Sequence, residues 1–112
     1  MVIYKILRGP EWRALEAAGE SAGAPVDIAD GFVHFSTAEQ VRETATKWFA
    51  GVEGLWLLAC ETENMGDNVR WEPSRGGALF PHLYASLRLA HVVQAMPLPL
   101  VDGGFGFPAD IP

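Results

Sequence analysis

Two short stretches hold the side chains through which this chain could do chemistry. Residues 30–37 (DGFVHFST) place His34 just before the pair Ser36-Thr37. Residues 68–84 (NVRWEPSRGGALFPHLY) pack Arg70, Trp71, Glu72, Arg75, Gly76, Gly77, His82 and Tyr84 into one segment, with Pro73 and Pro81 fixing the backbone between them. Histidine accepts or donates a proton near neutrality. Arginine offers phosphate or carboxylate a rigid fork of donors, and a glutamate in a dry site can serve as general base or electrostatic stabiliser. Together these types suit a pocket for a small, polar or anionic ligand.

Each residue has a plainer reading beside that one. On a strand, His34 and Ser36 share one face while Val33 and Phe35 take the other. The pair should stand at a helix N-terminus, where free N–H groups and the dipole favour an anion or a polar ligand group. A core histidine bonded to a carbonyl, followed by two capping residues, explains the same positions. His82, presented by Phe80-Pro81, reads as a donor or acceptor in a pocket wall or as packing against Tyr84. Arg70 and Arg75 could meet a ligand or pair with Glu72, and a salt bridge is equally the other reading of Glu72. Trp71 suits a core or a stacking platform, and Gly76-Gly77 permit positive φ or a close backbone approach to a ligand. The catalytic candidates are therefore His34, Glu72, Arg75 and His82. The ligand-binding candidates are His34, Ser36, Thr37, Trp71, Gly76, Gly77 and Tyr84.

Other chemistries lack their signatures. A metal site would need His34, His82 and Glu72 to converge without any HExxH or paired CxxC spacing, so no metal is expected. Dinucleotide-binding GxGxxG, hydrolase GxSxG and P-loop patterns are absent. His91, followed by two valines, reads as a satisfied surface or core histidine. Cys60 stands alone in the apolar run LWLLAC, which describes a buried structural thiol.

The elements that must position these residues follow from patterning. A first strand is expected over residues 2–7, then a short helix in which Pro10 starts the first turn, Trp12, Leu15 and Ala18 recur at helical spacing, and Gly19 closes. Residues 20–31 read as a loop able to act as a lid. After the strand carrying His34, the three-residue spacing of Ser36 and Glu39 predicts a capping box and a helix to about residue 50, burying Val41, Ala45, Trp48 and Phe49. Residues 55–61 are apolar on both faces, as in a central strand. Residues 91–96 form a further strand, and the Pro/Gly-rich tail 97–112 is expected to be extended or frayed, without regular structure. With 112 residues, 49% of them hydrophobic, one domain suffices, its core spanning 1–96. The order of elements argues an α+β fold, with two main helices against a bent, mostly antiparallel sheet.

Charge narrows the partners. A net charge of −6 opposes strong binding to nucleic acid or an anionic membrane, while Arg70, Arg75 and Arg88 leave the second half locally positive, suiting a small anionic ligand. No apolar run is long enough to span a bilayer and no secretory signal is visible, so a soluble, cytoplasmic protein is expected.

With DGFVHFSTAEQV and RWEPSRGGALFPHLY both read, the chain resembles the small bacterial proteins grouped as the DUF952 family over nearly all of residues 1–95. That family's fold resembles the ADP-ribosyltransferases, including the RNA 2′-phosphotransferases, in which a split, bent antiparallel sheet holds NAD in a cleft. The resemblance implies that His34 holds the ribose and nicotinamide portion of NAD, with Ser36 and Thr37 lining or capping that corner. It implies Arg75 and His82 near the pyrophosphate or the substrate side, and Tyr84 or Trp71 stacked on nicotinamide. Protein-modifying members place a late Glu against the ribosyl cation, whereas no Glu follows Glu72 here. Either Glu72 supplies that charge, or the chemistry is of the Arg- and His-based phosphotransferase type, or the pocket only binds. A non-catalytic ligand-binding or protein-interaction module is the alternative from another class.

Overall fold

Strand β1 (Val2–Arg8) forms from aliphatic residues around Lys5 and runs directly into helix α1 (Gly9–Ala18). The computed structural model describes residues 1–109 and 111, the side chain of Arg75 excepted; Asp110, Pro112 and that side chain lie outside the described residues. Helix α1 takes Pro10 in its first turn, Glu11 accepts the Arg8 N–H at 2.9 Å, and Gly19 closes the helix at φ 79°. Trp12 and Leu15 are buried, and Trp12 stacks on Trp56 with centroids 5.7 Å apart.

After β2 (Glu20–Ser21), the stretch expected to be a loose lid is folded. Pro25–Asp30 form helix α2. Ala24 cannot cap that helix with its own side chain, so Asp27 reaches back and accepts the Ala24 N–H at 2.7 Å. Gly23 is dictated by the same carboxylate: at φ 101°, a Cβ there would run into Asp27.

Strand β3 (Val33–His34) leads to helix α3 (Val41–Trp48), which starts later than the spacing predicts. Ser36 stays extended, because its N–H and carbonyl exchange bonds with Tyr4 at 2.9 and 2.7 Å. The capping pair consequently moves one residue on: the Thr37 N–H donates to Gln40 Oε1 at 3.0 Å and the Gln40 N–H donates to Thr37 Oγ1 at 3.2 Å. Val41 and Ala45 are buried as expected, but Trp48 is 64% exposed.

Strands β4 (Leu55–Glu61), β5 (Val69–Pro73), β6 (Leu79–Leu83), β7 (Leu87–Arg88) and β8 (Val92–Leu98) follow, with 3-10 turns at Thr62–Asn68, Arg75–Gly77 and Leu89–His91. Residues 68–84, which look irregular in sequence, are thus mostly a β-hairpin. Their alternation is masked because one face is polar and the other carries Trp71 and Pro81, and the Pro81 carbonyl still accepts the Phe35 N–H at 3.0 Å. The tail also departs from expectation: β9 (Leu100–Val101) and β10 (Gly104–Phe105) pair across Gly103 at φ 81°, Ile111 is buried, and Arg42 Nη2 donates to the Ile111 carbonyl at 3.0 Å.

The fold is α+β, and every strand pairing is antiparallel. One three-stranded sheet has the order β1-β4-β8 and the other β3-β6-β5, and the Tyr4–Ser36 bridge ties them together. Central strand β4 is buried on both faces. Leu55 and Leu57 join Val41, Ala45, Leu98 and Ile111 on one side, while Leu58 and Cys60 join Leu15, Val33, Phe35 and Leu83 on the other. Each fully buried Leu contributes roughly 1.5–3 kcal/mol. Burial pushes the Cys60 thiol up to about 12, which leaves it unreactive.

Candidate functional site

Register brings the two predicted stretches together. His34 pairs with His82, and His82 pairs with Arg70. Strand alternation then puts Ser36, Glu72 and Tyr84 on the same face of the β3-β6-β5 sheet. Phe32 packs at the centre of this face, with ring centroids 4.6 Å from His34, 4.2 Å from His82 and 5.1 Å from Tyr84. The two imidazoles lie edge to face, 5.3 Å apart.

Asp27 holds His34. Its Oδ1 accepts the His34 backbone N–H at 2.9 Å and lies 2.6 Å from Nδ1; its Oδ2 accepts from Ala24 N–H and lies 2.8 Å from Lys5 Nζ. Four donors thus converge on one carboxylate that is 1% exposed, which is close to all it can accept. Burial works to raise the Asp27 carboxyl, but the bonds from His34 and Lys5 outweigh it and hold it at about 2. Burial pushes the Lys5 ammonium below its ordinary value against the pull of Asp27. On the far side of the ring, His34 Nε2 lies 2.9 Å from Asp30 Oδ2. Both nitrogens of His34 are therefore engaged by carboxylates.

His82 is held differently. Glu72 Oε1 lies 2.7 Å from His82 Nδ1 and accepts a second bond from the Tyr84 hydroxyl at 2.7 Å. The Tyr84 and His82 bonds keep the Glu72 carboxyl below its ordinary value, and the same carboxylate raises the Tyr84 phenol. Arg70 covers the Tyr84 ring from 4.6 Å. His82 is 5% exposed, and its Nε2 has no hydrogen-bond partner among the described residues.

A cavity of about 750 Å³ opens beside this face, where the two sheets meet. His34, Ser36 and His82 line it together with Tyr4, Lys5 and Asp30, and the rings of Trp48, Phe49 and Phe80 form much of its apolar wall. Glu72 and Tyr84 are not part of that lining and stand behind His82. Ser36 Oγ is bonded to Thr44 Oγ1 at 2.8 Å, and Thr37 is occupied by its reciprocal bonds with Gln40 in the turn before α3. Trp71 lies on the opposite face, 41% exposed, because it alternates with Arg70 and Glu72. Gly76 and Gly77 stand at the hairpin tip, exposed, with φ 67° and 83°; a Cβ added at either would meet nothing within 4 Å, so the turn conformation and not close approach requires them. Arg75's side chain is outside the described residues.

Reading the sequence missed Asp27, Asp30 and Lys5. Lys5 was visible as the lone charge in an apolar strand, whereas Asp27 lies in the stretch that reads as a loop. Nothing in the spacing showed that the two meet. His91 is buried, its Nδ1 accepts the Arg88 N–H at 3.0 Å, and burial lowers its pKa. Among the described residues, no three His, Cys, Asp or Glu side chains are grouped to hold a metal.

A family model described as "Protein of unknown function (DUF952)" matches residues 6–95. The chain belongs to this family. Protein CC0527 from Caulobacter crescentus, solved by X-ray crystallography, is similar at 50% sequence identity and TM-score 0.89, over 95% of this chain and 94% of that one. Its solution NMR structure matches at TM-score 0.83, over 93% and 90% of the two chains. No curated protein matches this member of the family. Among the described residues, no helix is long and apolar enough to cross a membrane.

Proposed function

We propose that the cavity between the sheets binds NAD or a related nucleotide in an ADP-ribosyltransferase-like arrangement, and that it transfers ADP-ribose or a phosphate-containing group. One observation carries this reading: His34, Ser36 and His82, drawn from both motifs, line a single cavity walled by aromatic rings. Its volume of about 750 Å³ falls within the roughly 300–1,000 Å³ range of small-molecule sites. Trp48, Phe49 and Phe80 suit a planar base, and His82 and Ser36 suit ribose hydroxyls. Arg8 also lines the cavity; its guanidinium is 3.8 Å from Glu11, a loose pairing that leaves it able to meet a pyrophosphate. A concave site of this kind favours a small ligand over a flat protein-docking surface.

Calorimetric titration with NAD and with ADP-ribose tests the reading. Binding is expected, accompanied by a rise in melting temperature. Absence of both heat and thermal shift at millimolar ligand would sink it. His34→Ala should weaken binding by about tenfold or more, because its ring forms part of the cavity wall. His91→Ala, remote from the cavity, should leave affinity unchanged.

A further inference from the structure

We propose that His82 is the general base of the cavity, held as the Nδ1–H tautomer by Glu72 so that its Nε2 lone pair takes the proton of a hydroxyl acceptor. This role rests on the reading of the cavity as the donor site of a transfer reaction.

An ionised carboxylate has only lone pairs to offer. Glu72 Oε1, 2.7 Å from His82 Nδ1, therefore requires the hydrogen on Nδ1, and in a neutral imidazole the acceptor is then Nε2. That nitrogen belongs to a side chain 5% exposed that lines the cavity, and no described residue bonds it. A buried, unpartnered acceptor left in a cavity wall is costly unless something comes to meet it. The dyad is rigid as well. The Tyr84 hydroxyl holds the same Glu72 oxygen, and Phe32 packs against the His82 ring at 4.2 Å. His34 cannot play this part, because Asp27 and Asp30 engage both of its nitrogens at 2.6 and 2.9 Å. Glu72 is thus a positioning residue and His82 the catalytic one.

With NAD as donor and water as acceptor, the bond from the anomeric carbon to the nicotinamide nitrogen breaks and its electron pair leaves with nicotinamide. The water oxygen bonds to the anomeric carbon, and its proton passes to His82 Nε2 and then to solvent. NAD and water give ADP-ribose, nicotinamide and one proton. An alcohol acceptor changes only the group that ends on the anomeric carbon.

Two measurements on the full chain test the assignment. Imidazole nitrogen NMR, with His82→Asn identifying the resonances, should show a protonated Nδ1 and a bare Nε2. Glu72→Gln, whose amide can donate as well as accept, should mix the tautomers. Nicotinamide release from NAD should fall about 10²–10⁴-fold in kcat in His82→Asn, with KM changed less than about threefold. Glu72→Gln should lose less and shift the pH profile of kcat. A proton on Nε2 overturns the proposal whatever the ligand. So does a folded His82→Asn variant that releases nicotinamide within about threefold of the parent rate. NAD binding without nicotinamide release removes the base role and leaves the binding reading standing. Absence of NAD binding removes the nucleotide reading and the transfer step with it, and the NMR result then decides the dyad alone.

Discussion

The two histidine–carboxylate pairs face each other across one register position of a small sheet, yet they are built for different ends. His34 is gripped from both sides: Asp27, buried and tied to Lys5, holds Nδ1, and Asp30 holds Nε2. His82 is gripped from one side by Glu72, lines the cavity, and has no partner for Nε2 among the described residues. The same residue type is thus held at both ring nitrogens in one position and at one ring nitrogen in the other. What separates them is how many acceptors the surrounding elements supply. Helix α2 brings two acids to His34, whereas the β5–β6 hairpin brings one to His82.

That contrast can be broken first at its buried end. Asp27→Asn leaves Lys5 charged and unpaired in the core, and urea unfolding should show a loss of about 3–5 kcal/mol. Adding Lys5→Met to that variant should recover much of the loss, since it removes the stranded charge. Glu72→Gln should cost visibly less stability than Asp27→Asn. Equal losses would mean that the two pairs are not different in kind.

Acid provides the next test. Asp27 has an ordinary value of 3.8 and is held at about 2 in the fold, so its contribution is complete above pH 4 and disappears as pH falls through 2. The amount at stake is about 2 kcal/mol. Stability measured from pH 5 to pH 2 should fall more steeply in the parent protein than in Asp27→Asn, and parallel curves would refute the assignment.

Two tryptophans sharpen the cavity side of the comparison. Trp48 lines the cavity and Trp71 lies on the other face of the hairpin. Trp48→Ala should weaken nucleotide binding about tenfold, the scale of one lost base–aromatic stack, while Trp71→Ala should leave the calorimetric affinity unchanged. The smallest effect belongs to the Thr37–Gln40 turn before α3. Thr37→Ala should lower stability by about 1 kcal/mol in a thermal melt. Glu39→Ala, at the position the spacing had suggested, should have almost no effect.

Much of the fold was legible in the chain because short-range physics governed it. Pro10 and Gly19 bound α1 as their backbone preferences require, and the continuous apolar run of β4 announced burial on both faces. The hairpin at residues 68–84 was legible only as something unusual, since a strand pair that is polar on one face, with a proline and an exposed Trp on the other, does not show a clean alternation. Helix α2 was hidden because six residues that include a proline, two β-branched residues and two aspartates do not form a helix by propensity. It is held by Asp27, whose partners Lys5 and His34 come from other elements.

By itself, the sequence determined that His34 and Ser36 share a face, that His82 follows a rigid Phe-Pro step, and that polar chemistry concentrates in two motifs. Spacing within a strand is enough for that. Only the tertiary structure decided that these motifs pair at His34 and His82, that Asp27 and Lys5 meet beneath them, and that Trp71 and the twin glycines stand apart from the cavity. Register between strands and the approach of distant side chains depend on contacts across the chain, which local patterning does not encode.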